Sequence, residues 1–80
     1  MYFVYLLKCR DGSLYTGITN NIARRLNQHK KGYGGNYTKS RGVEKILHME
    51  EHPDKGTALK REAEIKRWPR AKKLALIARS

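Results

Sequence analysis

A predicted β-hairpin near the start of the chain, over residues 2–18, constrains the fold more than any other feature. Two stretches rich in aromatic and β-branched residues, both typical of strands, flank the dipeptide Asp11-Gly12. Asp-Gly between two such stretches is among the strongest local signals for a tight hairpin turn. We therefore expect this hairpin to be the nucleus of the fold.

The geometry of this turn decides whether two tyrosines meet. A two-residue loop at Asp11 and Gly12 would place Tyr5 and Tyr15 on opposite faces, because side chains alternate along a strand. A type I turn followed by Gly12 in the left-handed bulge position sets Tyr5 opposite Gly17, and both phenols then share a face. Only glycine accepts a positive φ freely. We therefore predict the bulged turn, with open space at Gly17 across from the Tyr5 ring.

The length and charge of the chain indicate a small, basic, single-domain protein. Eighty residues suffice for one domain with a thin, two-layer core, so we assign residues 1–80 to a single domain. The chain has 18 Lys and Arg against 7 Asp and Glu, a formal net charge of +11. Such an excess predicts a polyanionic partner, and nucleic acid is the commonest large one.

Cysteine usage and hydropathy bear on the compartment. The single cysteine, Cys9, excludes an internal disulfide and suits a reducing environment. The apolar start of the chain has no basic segment before it and is soon followed by a charged turn, unlike a signal peptide or a membrane span. We expect a cytoplasmic protein that is not inserted in a membrane, and we interpret Cys9 as a small apolar strand residue.

The segment after the hairpin predicts a helix over residues 22–31, preceded by Thr and Asn residues that can cap it and ended by Gly32. Arg25 and His29 lie one turn apart on a flank of the apolar stripe, so their side chains can reach one site together. Arg24 and Gln28 point away from that flank. The stripe itself is expected to consist of Ile22, Ala23 and Leu26.

A glycine-rich basic segment, residues 32–42, follows without periodicity. Long irregular loops in small domains are either disordered or functional. Its mixture of aromatic, hydroxyl and basic side chains suits stacking on bases and contact with phosphates, whereas a flexible connector would explain its glycines equally well. The candidate nucleic-acid contacts are Tyr37, Thr38, Lys39 and Arg41, together with Lys66 from the C-terminal basic half.

The remainder predicts a third strand and two helices. The strand covers residues 43–50, with Ile46 and His48 on one face, and a turn-rich link with a solvated His52 follows. Thr57 is expected to cap a helix over residues 58–68. Pro69 ends it and begins another over residues 70–78, in which the inward-facing residues are expected to be Leu74, Ile77 and Ala78.

A helical wheel separates two glutamates of the first of these helices. Glu62 projects within about 30° of the apolar direction, whereas Glu64 projects to the opposite side and is expected in solvent. That apolar direction is set by Ala58, Leu59, Ala63, Ile65 and Trp68. A carboxylate within a buried stripe is costly unless it is paired, hydrogen-bonded or bound to a cation. Glu62 is thus either in a salt bridge, for which Arg25 is a candidate, or in a metal site.

Four motifs occur in order along the chain. They are Val4-Tyr5-Leu6, then Tyr15-Thr16-Gly17, then the spaced set Gly17, Ile22, Arg25 and His29, and finally the set Ala58, Leu59, Glu62, Ile65 and Lys66. Together they resemble the GIY-YIG nuclease superfamily, and most of all its small stand-alone bacterial members of the uncharacterised UPF0213 type. The likeness runs from the first strand to the C-terminal region. Val4-Tyr5-Leu6 departs from Gly-Ile-Tyr, and Thr16 from isoleucine, but both tyrosines are present.

The resemblance implies an α+β fold with a three-stranded antiparallel sheet flanked by helices, in the order β-β-α-β-α-α. It also implies one active site with a divalent metal ion, usually Mg²⁺. The residues that match the family's functional positions are Tyr5, Tyr15, Arg25 and His29, with Glu62 as the metal-binding residue. The helical wheel separately distinguishes Glu62 from Glu64. Together, the resemblance and the wheel favour a metal site at Glu62 over a salt bridge.

These observations predict a metal-dependent endonuclease that hydrolyses phosphodiester bonds in DNA, which we favour over RNA. Structured or branched DNA is a plausible substrate, because no sequence-reading helix is evident. The alternative is a nucleic-acid-binding module that has the fold without catalysis. A third possibility is a subunit that cleaves beside a protein partner supplying the targeting.

Overall fold

The hairpin forms with the bulged turn that the sequence predicts. In the computed structural model, which describes residues 1–32 and 41–79, Gly12 has a φ of 87°. The N–H of Cys9 donates to the carbonyl oxygen of Ser13 at 2.9 Å, and the N–H of Gly12 donates to that of Cys9 at 3.0 Å. The two strands therefore pair with Tyr5 opposite Gly17, and Tyr5 and Tyr15 lie on one face of the sheet.

Three antiparallel strands and three helices make up the described part of the chain, which confirms the predicted α+β fold and its element order. The bounds are β1 Tyr2–Cys9, β2 Leu14–Thr19, α1 Ile22–Lys30, β3 Val43–His52, α2 Lys55–Lys66 and α3 Arg70–Ala78. The strand order is β2-β1-β3. β1 is the central strand, and four consecutive residues of it, 4–7, are buried because helices cover both of its faces.

Alternation along β1 divides the core into two layers. Val4 and Leu6 pack with Ala58 and Ile65 of α2 on one face, where partly buried side chains of α3 join them. Tyr5 and Leu7 pack on the other face against α1 and β3, and the partly buried contributors there are Tyr15, Ile22, Leu26 and Ile46. The site-forming tyrosines therefore belong to the layer under α1, and α2 and α3 cover the opposite face.

The third strand departs from the prediction through a β-bulge. Leu6 pairs with His48 while Leu7 pairs with Ile46, so Leu47 is an extra residue on β3. Ile46 and His48 consequently face opposite sides of the sheet, and the prediction that they share a face was wrong. β3 also continues to His52, which is half-buried rather than solvated.

The start of α2 and several inward-facing assignments also differ from the prediction. Asp54, not Thr57, caps α2: its Oδ1 accepts from the N–H of Thr57 at 2.8 Å, and the helix ends at Lys66. Residues expected to be buried but found exposed are Ala23, Leu59, Ala63, Leu74 and Ala78. A sheet of three strands offers each helix only a narrow contact, so α2 buries just Ala58 and Ile65, two turns apart.

None of the helices in the described ranges is both long and apolar enough to pass through a bilayer. The longest of them, α2, has 12 residues, whereas a spanning helix needs about 20 predominantly apolar ones.

Candidate active site

Gly17 creates the space that the Tyr5 phenol occupies. A Cβ added to Gly17 would lie 2.6 Å from Cζ of Tyr5 and 2.9 Å from Cε2 of Tyr15, and it would also clash with the Tyr5 hydroxyl. The absence of a side chain at Gly17 therefore lets the phenol of Tyr5 cross over the edge strand β2. The predicted opening is confirmed, and both tyrosine rings lie against it.

Helix α1 brings Arg25 and His29 to the Tyr5 hydroxyl, as their spacing predicts. Asn21 caps α1 by accepting from the N–H of Arg24, which starts the helix in the register that points both side chains at the sheet. The Tyr5 hydroxyl lies 3.0 Å from Nε2 of His29. The Nε–H of Arg25 donates to the same hydroxyl at 3.4 Å. A phenol, an imidazole and a guanidinium thus share one hydrogen-bonded centre.

Ring packing completes this cluster. The ring centroids of Tyr5 and Tyr15 are 6.3 Å apart, and the His29 ring meets Tyr15 edge-on at 5.1 Å. His29 also meets Tyr5 edge-on at 5.9 Å, and its side chain is only 1% exposed. Such arrangements stabilise aromatic groups and restrict their rotation. The hydroxyl of Tyr5 is therefore held by packing as well as by hydrogen bonds.

His29 is neutral at pH 7. Burial, and then the positive charge of Arg25, lower its pKa from 6.5 to about 4. The Nε–H of Arg25 donates to the Tyr5 hydroxyl. We assign the phenol proton to the bond with Nε2 of a neutral His29, which places the His29 proton on Nδ1. This arrangement gives the phenol proton a defined acceptor.

The Tyr5 phenol is protonated at rest. Burial raises its pKa above 10.0, and the negative charges of Tyr15 and Glu62 act in the same direction. The hydrogen bond from Arg25 lowers the pKa but does not reverse the shift. The same bond raises the pKa of Arg25, which stays cationic. An ionised Tyr5 is thus unfavourable in the resting protein.

Glu62 joins this site from α2. Its side chain is 17% exposed, and Oε2 lies 3.5 Å from Nζ of Lys66. Its charge is close enough to raise the pKa of Tyr5. The salt bridge that the sequence left open is present, with Lys66 as the partner of Glu62 in place of the candidate Arg25. Glu64, 56% exposed, pairs instead with Arg61, as the wheel predicted for a surface residue.

The donor set around Glu62 fits one hydrated hard cation. No cluster of three or more His, Cys, Asp or Glu suited to a metal ion occurs within residues 1–32 and 41–79. Mg²⁺ does not need such a cluster, because it keeps several waters and commonly binds one or two carboxylates together with substrate phosphates. A single half-buried carboxylate with one long ion pair meets that requirement.

The residues predicted to contact nucleic acid do not form one cluster in the described part of the chain. Lys66 is exposed and forms an ion pair with Glu62. Arg41 is exposed and its Nε lies 3.1 Å from Oδ2 of Asp11, at the hairpin turn. Tyr37, Thr38 and Lys39 fall outside the described residues. Gln28, predicted to point away, accepts from Nη1 of Arg25 at 3.2 Å, an i, i+3 contact that the helix spacing could have shown.

A second polar cluster, which was not predicted from the sequence, lies on the opposite face of the sheet. Glu50 accepts from Nε and Nη2 of Arg61 at 2.9 and 3.0 Å, and it also bonds His48 at 2.9 Å and His52 at 3.3 Å. The i, i+2, i+4 spacing of His48, Glu50 and His52 was the signal for it. Burial alone would raise the pKa of Glu50, but these hydrogen bonds lower it to about 2.

Comparisons with known proteins agree with this geometry. The family model described as the GIY-YIG catalytic domain matches residues 1–75. A UPF0213 protein from Nitratidesulfovibrio vulgaris is 49% identical over 78 residues, or 98% of this chain and 71% of that protein. One from Oceanobacillus iheyensis is 46% identical over 76 residues, or 95% and 88% of the two chains.

A solved structure is similar as well. The solution NMR structure of a UPF0213 protein from Bacillus halodurans has a TM-score of 0.62 to this chain and 39% sequence identity. The alignment covers 98% of this chain and 84% of the other. Fold and sequence therefore agree on the same relatives.

Proposed function

This chain belongs to the GIY-YIG catalytic domain family, and from that membership we propose that it is a divalent-metal-dependent endonuclease acting on DNA. One observation supports the proposal above others: Tyr5, Arg25 and His29 share a hydrogen-bonded centre, and the charge of Glu62 reaches it. These four residues come from β1, α1 and α2, so only the folded chain brings them together.

Proton transfer in the proposed reaction runs from water through Tyr5 to His29. The attacking water gives its proton to the Tyr5 oxygen while the phenol proton moves to Nε2 of His29, 3.0 Å away. Tyr5 then never has to carry a full negative charge, which its raised pKa disfavours. As the water oxygen bonds to phosphorus, the P–O bond to the leaving sugar oxygen breaks, and that oxygen takes a proton from solvent. The imidazolium of His29 is more acidic than an ordinary one, because its pKa is about 4, and it then releases its proton back through Tyr5.

In the proposed reaction, the negative charge of the phosphate is balanced by Arg25 and by a cation held by Glu62. Arg25 stays cationic, and a guanidinium matches the geometry of phosphate oxygens. Glu62 would hold Mg²⁺ or another divalent ion, with Lys66 orienting the carboxylate. Bound there, such an ion supplies positive charge that stabilises the pentacoordinate transition state. Tyr15 packs on His29 and keeps the imidazole aligned.

We assign the outlying DNA contacts to Tyr37, Thr38, Lys39, Arg41 and Lys66, and the compartment to the cytoplasm, where the buried free thiol of Cys9 stays reduced. A protein partner could supply the targeting. Because the net charge is +11, binding to duplex DNA should weaken with salt, with a slope of about −0.9 for each phosphate neutralised. A flat response to salt would contradict any nucleic-acid function.

The decisive experiment compares Glu62→Gln with Glu64→Gln on nicked, branched, duplex and single-stranded DNA, with Mg²⁺ or with chelator. The two glutamates lie two residues apart on α2, and only Glu62 acts on Tyr5. We expect Mg²⁺-dependent cleavage by the intact protein, a loss of about 100-fold or more in Glu62→Gln with DNA binding retained, and a change within about twofold in Glu64→Gln.

Two outcomes contradict the nuclease. If Glu62→Gln cleaves at the rate of the intact protein, the carboxylate has no role in the reaction. If the intact protein binds DNA but cleaves none of the substrates with Mg²⁺, the chain is the binding module that the sequence left as the alternative.

A further inference from the structure

A second concave site lies between α2 and α3, on the face of the sheet opposite to Tyr5 and His29. We call it the Trp68 groove. Its volume is about 200 Å³, and it is lined by Arg61, Trp68, Lys72, Ala75, Leu76 and Arg79. All but Arg61 fall within residues 68–79 at the three- and four-residue spacings of one helix face, so one side of α3 forms most of the wall. The proposed active site uses none of them.

The groove combines an apolar wall with three basic residues, Arg61, Lys72 and Arg79. Nζ of Lys72 lies 4.4 Å from the centroid of Trp68, and the guanidinium of Arg61 lies 5.0 Å from it. Arg61 is already bound to Glu50 through two hydrogen bonds. Neither Lys72 nor Arg79 forms an ion pair with any residue in the part of the chain that the structure describes. Lys72 contacts the Trp68 ring, but neither it nor Arg79 has its charge matched by a carboxylate of the described residues, so both can meet an anion beside the aromatic surface.

The size of the groove limits what it can hold. Pockets that enclose a whole small-molecule ligand measure roughly 300–1,000 Å³. A site of about 200 Å³ is smaller, and it is open at one side, so it suits one unit of a longer ligand. A flat ring joined to a phosphate matches an aromatic and aliphatic wall beside two cations, which is the combination that single-stranded nucleic acid uses in its binding sites.

We propose that the Trp68 groove binds one nucleotide of a single-stranded segment, with the base against Trp68 and Leu76 and the neighbouring phosphate between Lys72 and Arg79. The identity of the ligand as nucleic acid rests on the proposed function. Double-stranded DNA does not offer an unstacked base, so the groove discriminates between single and double strands.

The groove is close enough to the tyrosine site for one branched DNA to reach both, which affects the choice of substrate. Adjacent residues of α2 are involved at the two sites: the charge of Glu62 acts on Tyr5, and Arg61 lines the groove. The molecule is only 19 Å thick along its shortest axis. A DNA junction with a single-stranded arm can therefore place its cleavable bond at Tyr5 and its arm in the groove, which makes flapped or forked DNA the preferred substrate class.

Trp68 is the only tryptophan in the chain, so its fluorescence reports on the groove alone. The intact protein is titrated in chelator with a thymidine oligonucleotide, an abasic oligonucleotide of equal length and a blunt duplex. We expect saturable quenching by the thymidine strand, about tenfold weaker binding of the abasic strand, and little quenching by the duplex. Equal quenching by the thymidine and abasic strands would overturn the proposal, because it would show phosphate contact without base insertion.

Two double variants test the cations. Lys72→Gln with Arg79→Gln removes the two groove charges that have no carboxylate partner among the described residues. Lys60→Gln with Lys73→Gln removes one charge each from α2 and α3 outside the groove. We expect the first pair to weaken binding of the thymidine strand about fivefold or more and to reduce its salt slope by about 0.7 for each phosphate that the groove no longer neutralises. We expect the second pair to shift affinity within about twofold. Equal reductions in affinity for the two pairs would reject the groove as a site.

Binding in the Trp68 groove can be tested independently of nuclease activity. Quenching is measured in chelator and needs no cleavage, so a protein that cleaves nothing can still pass or fail this test. Conversely, a protein that cleaves flapped and blunt DNA equally, and whose Trp68 fluorescence ignores single strands, remains a nuclease without this site.

Discussion

The two faces of the sheet both join histidine to arginine, yet their electrostatics are opposite. Under α1, His29 is neutral with a pKa of about 4, and the group it bonds is the protonated phenol of Tyr5. Under α2, Glu50 is ionised with a pKa of about 2, and both of its oxygens accept hydrogen bonds from Arg61 and from a histidine. Both faces thus contain groups with strongly shifted pKa values.

The difference shows that a shifted pKa does not by itself identify a reactive site. The carboxylate of Glu50 is satisfied by partners within the fold, so this cluster joins β3 to α2 and stabilises the protein. Around Tyr5, a proton sits between two neutral groups, and a carboxylate lies near it with one ion pair at 3.5 Å. A movable proton beside an available anion suits chemistry.

The largest expected effect separates the two faces by activity. Tyr5→Phe removes the hydroxyl that bonds His29 and Arg25 while keeping the ring, so cleavage should fall about 10²–10⁴-fold with a change of only about 1 kcal/mol in the free energy of unfolding. Tyr2→Phe, on the other face, is the matched control and should cleave normally. Rates come from single-turnover cleavage. A Tyr5→Phe protein with full activity would remove the phenol from the mechanism.

The next effect separates the faces by stability. Glu50→Gln leaves Arg61 without its main ion partner, so we expect a loss of about 3 kcal/mol in the free energy of unfolding, measured by urea denaturation. Glu51→Gln, on the exposed side of β3, should change it by less than about 0.5 kcal/mol. Cleavage per folded molecule should not change in either variant. An unaltered stability in Glu50→Gln would show that the cluster is not structural.

Stability should depend on pH in two separate ranges, one set by His29 on one face of the sheet and one set by Glu50 on the other. The pKa of His29 is lower in the fold than the ordinary 6.5, so the unfolded chain binds the proton first, and its contribution is complete above about pH 6.5 and lost as the pH falls towards 4. Glu50 contributes fully above pH 4.5 and loses its contribution as the pH falls towards 2. The first window is accessible in mild acid.

Urea denaturation at pH 7.5 and pH 5 measures the first window. We expect the free energy of unfolding of the intact protein to fall by about 2 kcal/mol from pH 7.5 to pH 5, because His29 becomes protonated on unfolding. The His29→Gln variant should not show this decrease. Glu50→Gln is the comparison, since its group does not titrate in this range. A His29→Gln protein with the same loss as the intact chain would show that His29 is not held neutral.

The smallest effect tests the space over Gly17, against which the rings of Tyr5 and Tyr15 lie. Gly17→Ala places a methyl group against the Tyr5 and Tyr15 rings, so it should cost about 1–2 kcal/mol of stability and displace the phenol, with a lower cleavage rate. Gly56→Ala is the control, because its Cβ would meet only Asp54 Oδ1, at 3.4 Å, and helix formation would gain. A Gly17→Ala protein of normal stability and activity would mean that the rings can move aside.

Local chemistry explains why much of the site could be predicted. Gly12 can adopt a positive φ, and that property sets the hairpin register and puts Tyr5 and Tyr15 on one face. Helical spacing puts Arg25 and His29 on one flank of α1. The same spacing distinguishes half-buried Glu62 from exposed Glu64. Each of these follows from the geometry of a single element or turn.

The remaining features depend on contacts between distant elements. The bulge at Leu47 arises where β3 pairs with β1, and no nearby residue signals it. The Glu50 cluster and the Trp68 groove require α2 and α3 to pack on the sheet. The neutral state of His29 comes from burial that the whole layer creates. Short-range preferences set turns and faces, whereas desolvation and the pairing of remote charges exist only after the layers have assembled.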